Sequence, residues 1–291
     1  MTETTDNLFA SHPRLWNDFH YVYPVISRRS RGLSIGINLN IDKVCNFSCV
    51  YCCVDHSISP VRTDIDLDQL RHELATMLNL AVSGDLWKDP AFESTPPELR
   101  RINDIAFSGD GEPTAYLHFD QACDIAIEER NRHDLNDVRI AVLTNATMLH
   151  KPRVQAAMER LDQHNGEYWV KLDAGTADYY ATVDRSGVPF ERILNNIALA
   201  GKCRPIIIQT LFANIDGSPL PDTEFDAWCD RIEDLVTEGC QIKDIQLHTV
   251  ARRTLVDTTE PLSNEHLDTL HDRFKARLPD LPCSVYYGVS R

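Results

Sequence analysis

No basic stretch followed by an apolar core opens the chain; MTETTDNLFASHPRLW is polar and mixed, which argues against a secretory leader. No later run approaches the roughly 20 apolar residues of a membrane-spanning helix, so no membrane partner is expected. Positive charge is in deficit as well: 29 Lys and Arg face 44 Asp and Glu, a formal charge of −15, which repels polyanions and disfavours an extended nucleic-acid footprint. No Gly/Ser-rich linker or long block of like charge divides the 291 residues. With 43% hydrophobic residues the chain can bury a substantial core. We therefore expect a cytoplasmic protein with one domain over 23–291, preceded by a polar tail and lead-in over 1–22 whose first six or so residues are disordered. Within it, the Pro-containing stretch 83–101 reads as an insertion or lid, and 251–291 as a C-terminal helix and strand.

What is present is a regular alternation. Apolar runs short enough for strands recur at 34–41, 102–108, 138–144, 168–174, 204–212 and 243–250, all rich in Ile, Val and Leu. Helical periodicity lies between and after them. In 66–82, Leu67, Leu70, Leu74, Met77 and Leu78 share a face, and Asp66 with Gln69 has the form of a capping box. In 222–239, Phe225, Trp228, Ile232 and Leu235 are at helical spacing ahead of Gly239, and 263–278 repeats the pattern with Leu267, Leu270 and Phe274. Strands alternating with amphipathic helices imply βαβ units and an α/β fold with a parallel sheet. Six units close partly into a TIM-like barrel or open into a doubly wound sheet, and periodicity does not separate the two.

The nine cysteines are odd in number, and four of them fall in CNFSCVYCC, residues 45–53. Reduced, clustered thiols point to a metal rather than a disulfide framework. Zinc remains open, with His56 or Cys53 completing Cys45, Cys49 and Cys52; an iron–sulfur cluster on three thiolates leaves one iron without a protein ligand. Cys123, Cys203, Cys229, Cys240 and Cys283 lack ligand spacing and read as small buried hydrophobes.

CNFSCVYC resembles the CxxxCxxC signature of radical SAM enzymes, with Tyr51 as the aromatic before the last cysteine. The resemblance implies a partial (β/α)6 TIM-like barrel and a [4Fe-4S] cluster whose open iron binds S-adenosylmethionine. Reductive cleavage then produces a 5′-deoxyadenosyl radical that abstracts hydrogen from a substrate. Cys53 is not an expected ligand. SGDGEPT (108–114) is similar to the family's glycine-rich loop, in which Gly109, Asp110, Gly111 and Glu112 would meet the methionyl ammonium. Asn145, Asp173, Gln209 and His248, read as polar residues at successive strand ends, would meet the rest of the cofactor, since such barrels carry their sites there. Lys171 and Asp173 share one side of a strand, inward by expectation only.

Upstream, YPVISRRSRGLSIGINLN (23–40) resembles a subgroup of iron–sulfur oxidoreductases related to the tRNA wybutosine-synthesis enzymes, a likeness that runs on to residue 253. Arg28 and Arg29 would there face an anion. Wyosine-forming enzymes hold a second cluster on upstream cysteines, and none precedes Cys45, so a single cluster is expected. The substrate class stays open among a small molecule, a peptide and RNA, with an electron donor such as a flavodoxin or ferredoxin. The alternatives are tRNA modification by the same chemistry, activation of a glycyl-radical enzyme, and a non-catalytic, zinc-stabilised binding module.

Overall fold

The structure is a computed structural model that describes residues 14, 16–59 and 62–288; the expected disordered start lies outside the described residues. The chain forms two compact units. The first comprises the residues up to Val44, His56–Leu143 and Pro152–Glu167; the second comprises Cys45–Asp55, Thr144–Lys151 and Tyr168 onward.

In the first unit, β1 (Val22–Ser27) pairs antiparallel with β2 (Gly32–Ile37), β2 pairs parallel with β3 (Ile102–Phe107), and β3 pairs parallel with β4 (Arg139–Thr144). Three of these strands match the expected runs. β1 does not stand out in the sequence because Pro24 interrupts it. It ends the strand order, where a missing N–H costs no central ladder bond. Leu33, Ile35 and Ile37 of β2 and Phe107 of β3 are fully buried.

α1 (Leu67–Ser83) buries Leu70, Leu74, Met77 and Leu78, the face expected from its periodicity. Its cap differs from the sequence reading in one half. Asp66 accepts the N–H groups of Asp68 and Gln69, each at 3.0 Å, but Gln69 turns its amide to Glu73 at 3.0 Å. The Asp66 N–H that a capping box would satisfy goes instead to the Tyr21 hydroxyl at 3.0 Å. Glu73 is buried and accepts three consecutive backbone N–H groups, from His20 at 2.9 Å, Tyr21 at 2.8 Å and Val22 at 3.1 Å. That carboxylate sets where β1 starts. Segment 83–101 folds into two short 3-10 turns, Asp85–Lys88 and Pro97–Leu99, with Leu86 and Phe92 buried. α2 (Phe119–Arg132) and α3 (Pro152–Asp162) complete the unit.

The second unit repeats the pattern. β5 (Gly166–Lys171), β6 (Ile206–Leu211), β8 (Ile242–His248) and β10 (Cys283–Tyr286) pair parallel in that order. β7 (Ala213–Ile215) and β9 (Thr259–Pro261) form a small antiparallel ribbon. The helices are α4 (Ala177–Val183), α5 (Phe190–Cys203), α6 (Asp222–Thr237) and α7 (Asn264–Arg277). The rings of Phe225 and Phe274 lie 5.7 and 5.5 Å from that of Trp228, so α6 and α7 share one aromatic core. Of the scattered cysteines, Cys123, Cys229 and Cys240 are buried as expected, Cys283 is half-buried, and Cys203 is exposed. Among the described residues no helix is long and apolar enough to cross a membrane.

Candidate functional site

The cysteine loop belongs to the second unit and is held there at both ends. Between the thiols, Phe47, Val50 and Val54 are buried, while Cys45, Cys49 and Cys52 stay half-exposed. The apolar residues thus anchor the loop. Ser48 and Val50 donate their N–H groups to the carbonyls of Asp184 and Val183 at 3.0 and 2.9 Å. On the other flank Leu255 donates to the Cys52 carbonyl at 3.1 Å, and the Thr259 hydroxyl to that of Val50 at 3.1 Å. A tight turn closes the CxxC portion, with the Cys52 N–H on the Cys49 carbonyl at 2.9 Å.

Each expected ligand sulfur faces an N–H donor. Phe47 N–H donates to Cys45 Sγ at 3.5 Å, Lys171 Nζ to Cys49 Sγ at 3.0 Å, and Val54 N–H to Cys52 Sγ at 3.4 Å. The Cys53 thiol is directed at the Tyr51 carbonyl, 3.8 Å away, and Cys52 Sγ also lies 4.0 Å from the Val54 carbonyl. Burial pushes the Cys49 thiol up to about 12, against the opposing pull of Lys171.

Lys171, the last residue of β5, settles the orientation that the sequence leaves open: it and Asp173 both point into the protein, with side chains 17% and 1% exposed. Its ammonium bonds Asp173 Oδ2 at 3.1 Å and Asp184 Oδ1, and lies 4.7 and 4.8 Å from the ring centres of Phe47 and Tyr51. Burial alone would favour the neutral amine. Asp173 and then Asp184 outweigh it and raise the lysine well above its ordinary value. Tyr51 donates its hydroxyl to Asp173 Oδ2, and burial, then the Asp173 charge, keep that phenol protonated. Asp173 Oδ1 accepts the Leu211 N–H at 2.8 Å. Asp184 carries no sequence signal, because VDRS reads as an ordinary turn.

Asn145, immediately after β4, donates from Nδ2 to Asn46 Oδ1 at 2.7 Å, lies 4.0 Å from Cys45 Sγ, and accepts the Thr147 N–H at 3.1 Å. Tyr51, Asn145 and Asp173 are thus gathered around the cysteine loop. Gln209 sits inside β6 rather than at its end, and its amide is committed to Gln246 Oε1 at 2.8 Å. His248 does end β8, with Nδ1 3.3 Å from the Gln246 carbonyl. Gln246, opposite Gln209 in the parallel register, was not signalled by any motif.

The glycine loop lies in the first unit. Asn38 Nδ2 donates to Asp110 at 2.8 Å and the Asp110 N–H returns to Asn38 Oδ1 at 3.1 Å, while Arg14 bonds the same carboxylate at 2.5 Å. A Cβ on Gly109 would fall 2.1 Å from Asn38 Oδ1, and one on Gly111 2.3 Å from the Val44 carbonyl, so only glycine allows the backbone this close. Glu112 is buried and accepts the Thr114 N–H at 3.1 Å, which starts the turn Pro113–Ala115. Arg28 and Arg29 are half-buried beyond β1.

Among the described residues no three His, Cys, Asp or Glu side chains converge as ligands of a single ion. A cubane asks something different, since each thiolate binds a different iron and hydrogen-bond donors surround the sulfurs. Cys45, Cys49 and Cys52, each facing an N–H, fit that group. His56 has Nδ1 2.6 Å from the Lys43 carbonyl.

No family profile matches the chain. It is 23% identical over 277 residues to a protein named GTPase Obg from Brachyspira hyodysenteriae, covering 91% of this chain and 34% of that protein. To a Helicobacter pylori UPF0026 protein it is 26% identical over 177 residues, 60% of this chain and 48% of the other. The chain therefore spans about a third of the first of these relatives and about half of the second. Among solved structures, Streptococcus suis SuiB bound to S-adenosylmethionine matches with a TM-score of 0.59 at 11% identity, over 89% of this chain and 52% of SuiB. TYW1 with a lysine–pyruvate adduct bound matches with a TM-score of 0.51 at 15% identity, over 94% and 80%. At these identities the likeness shows the fold alone: an α/β partial (β/α)6 barrel of the radical SAM type, as the sequence resemblance led us to expect.

Proposed function

We propose that this protein is a radical SAM enzyme in which Cys45, Cys49 and Cys52 hold a [4Fe-4S] cluster that binds S-adenosylmethionine. The observation that carries this reading is the fastened loop with three thiols, each facing an N–H donor, in a chain with the radical SAM fold. When bound, cluster and cofactor supply reductive cleavage of the sulfonium and so start hydrogen abstraction from a substrate.

The chain's own residues bind, orient and exclude water. Phe47, Val50 and Val54 close the inner side of the loop, and Ser48, Val50 and Cys52 fix it through their backbone bonds. Glu112 and the glycine backbone around it are assigned to the methionyl ammonium, a charge-assisted contact. Tyr51, Asn145, Asp173 and His248 are assigned to the remainder of the cofactor, with Asp173 also holding Lys171 and Tyr51 in place. Asp110 keeps the glycine loop in shape through Asn38 and Arg14. The substrate is a small molecule, a peptide or an RNA, and a cytoplasmic one-electron carrier such as a flavodoxin or ferredoxin supplies the electron.

The test is anaerobic reconstitution of the whole chain, determination of iron and zinc, then addition of dithionite and S-adenosylmethionine with chromatography for 5′-deoxyadenosine. About four irons per chain, as a cubane requires, together with 5′-deoxyadenosine, is the expected result. Bound zinc with intact S-adenosylmethionine would overturn the reading and leave the loop a structural site.

A further inference from the structure

We propose that Lys171 sets the reduction potential of the cluster by donating a charged N–H to Cys49 Sγ, with Asp184 as its counterweight; this rests on the three-cysteine reading above. The Lys171 ammonium donates to Cys49 Sγ at 3.0 Å and to Asp184 Oδ1, and is ion-paired with Asp173 Oδ2 at 3.1 Å. The rings of Phe47 and Tyr51, at 4.7 and 4.8 Å, close over the same nitrogen. An amine nucleophile needs a lone pair, and a lysine bonded to two carboxylates has none to offer. Lys171 is a positioning residue in this scheme and does not touch substrate.

Reduction adds one electron, from dithionite in the assay, to the cluster and its three thiolates, with no bond broken. A hydrogen bond to a ligand sulfur and a nearby positive charge both stabilise the more negative, reduced state. Burial strengthens both effects, because little water screens them. The two carboxylates act in the opposite sense. Removing Lys171 therefore takes away a donor and a positive charge together, and leaves two negative charges near Cys49. Asp184→Asn removes one negative charge and keeps the side chain's shape, so the two changes move the potential in opposite directions. A side chain that only supported the loop would not give opposite signs.

The experiment is a potentiometric titration of the reconstituted full chain, followed by the electron paramagnetic resonance signal of the reduced cluster, for wild type, Lys171→Gln, Lys171→Arg and Asp184→Asn. Iron content is measured for each. We expect Lys171→Gln to lower the reduced-to-oxidised ratio at a fixed potential at least tenfold, about 59 mV for one electron. Asp184→Asn should raise that ratio, and Lys171→Arg should stay within about threefold of wild type, since it keeps a charged donor. Equal potentials in wild type and in iron-loaded Lys171→Gln, or shifts of the same sign in Lys171→Gln and Asp184→Asn, would overturn the proposal. Where Lys171→Gln does not fold, Asp184→Asn decides alone, and an unmoved potential there sinks it. A wild-type protein that takes up no iron instead defeats the three-cysteine reading itself.

Discussion

Tyr51 donates its hydroxyl to Asp173, which joins the aromatic residue of the cysteine loop to the segment just past β5, 122 positions further along the chain. Tyr51→Phe keeps the ring beside Lys171 and removes only the donor. The loss of one buried, charge-assisted hydrogen bond should lower the unfolding free energy by about 1–2 kcal/mol, read from urea denaturation. Iron content should stay at the wild-type level, because none of the three sulfur contacts is altered. A variant as stable as wild type would show that the bond contributes nothing net.

The four cysteines of the loop should separate cleanly. Cys45→Ser, Cys49→Ser and Cys52→Ser should each lose most of the iron and all cleavage of S-adenosylmethionine. Cys53→Ser should retain both, since Cys53 lies outside the CxxxCxxC spacing. Full iron and activity in Cys49→Ser would overturn the ligand assignment.

Two glycines offer a matched pair. A methyl group at Gly111 would fall 2.3 Å from the Val44 carbonyl, whereas one at Gly187 would meet nothing within 4 Å. Gly111→Ala should therefore cost about 1–3 kcal/mol through forced backbone movement. Gly187→Ala should lie within about 0.5 kcal/mol of wild type or gain slightly from a less flexible unfolded chain. Denaturant midpoints at unchanged slope decide the matter, and equal midpoints for the two variants would contradict the close approach.

Glu73→Ala strips the acceptor from three successive N–H groups, those of His20, Tyr21 and Val22. Leaving them unsatisfied should cost on the order of 3 kcal/mol or more. Hydrogen exchange gives a local readout: the Tyr21 and Val22 amides should lose protection ahead of the fully buried centre of β2. Unchanged protection would mean that β1 is held by its ladder alone.

The six main strands and the cysteine loop were legible in the sequence because their signals are local. A strand covered on both faces reads as a short continuous apolar run, and 102–108 and 204–212 gave β3 and β6 to within two residues. Thiols spaced four and three apart on one loop stand out by their spacing, and Phe47 and Val50 between them mark its anchored side. What tertiary structure decided were pairings between residues far apart in the chain. Period-two reading of 168–174 places Lys171 and Asp173 on one side of a strand without saying which, but β5 ends at Lys171, and packing in the second unit brings Lys171 to Cys49, Asp173 and Asp184. The capping box at Asp66 gave way for the same reason: the Tyr21 hydroxyl, 45 positions away, accepts the Asp66 N–H in place of Gln69. Local propensity sets which elements form. Which buried charges and donors meet depends on the neighbours each element acquires, because a buried polar group must find a partner wherever the fold supplies one.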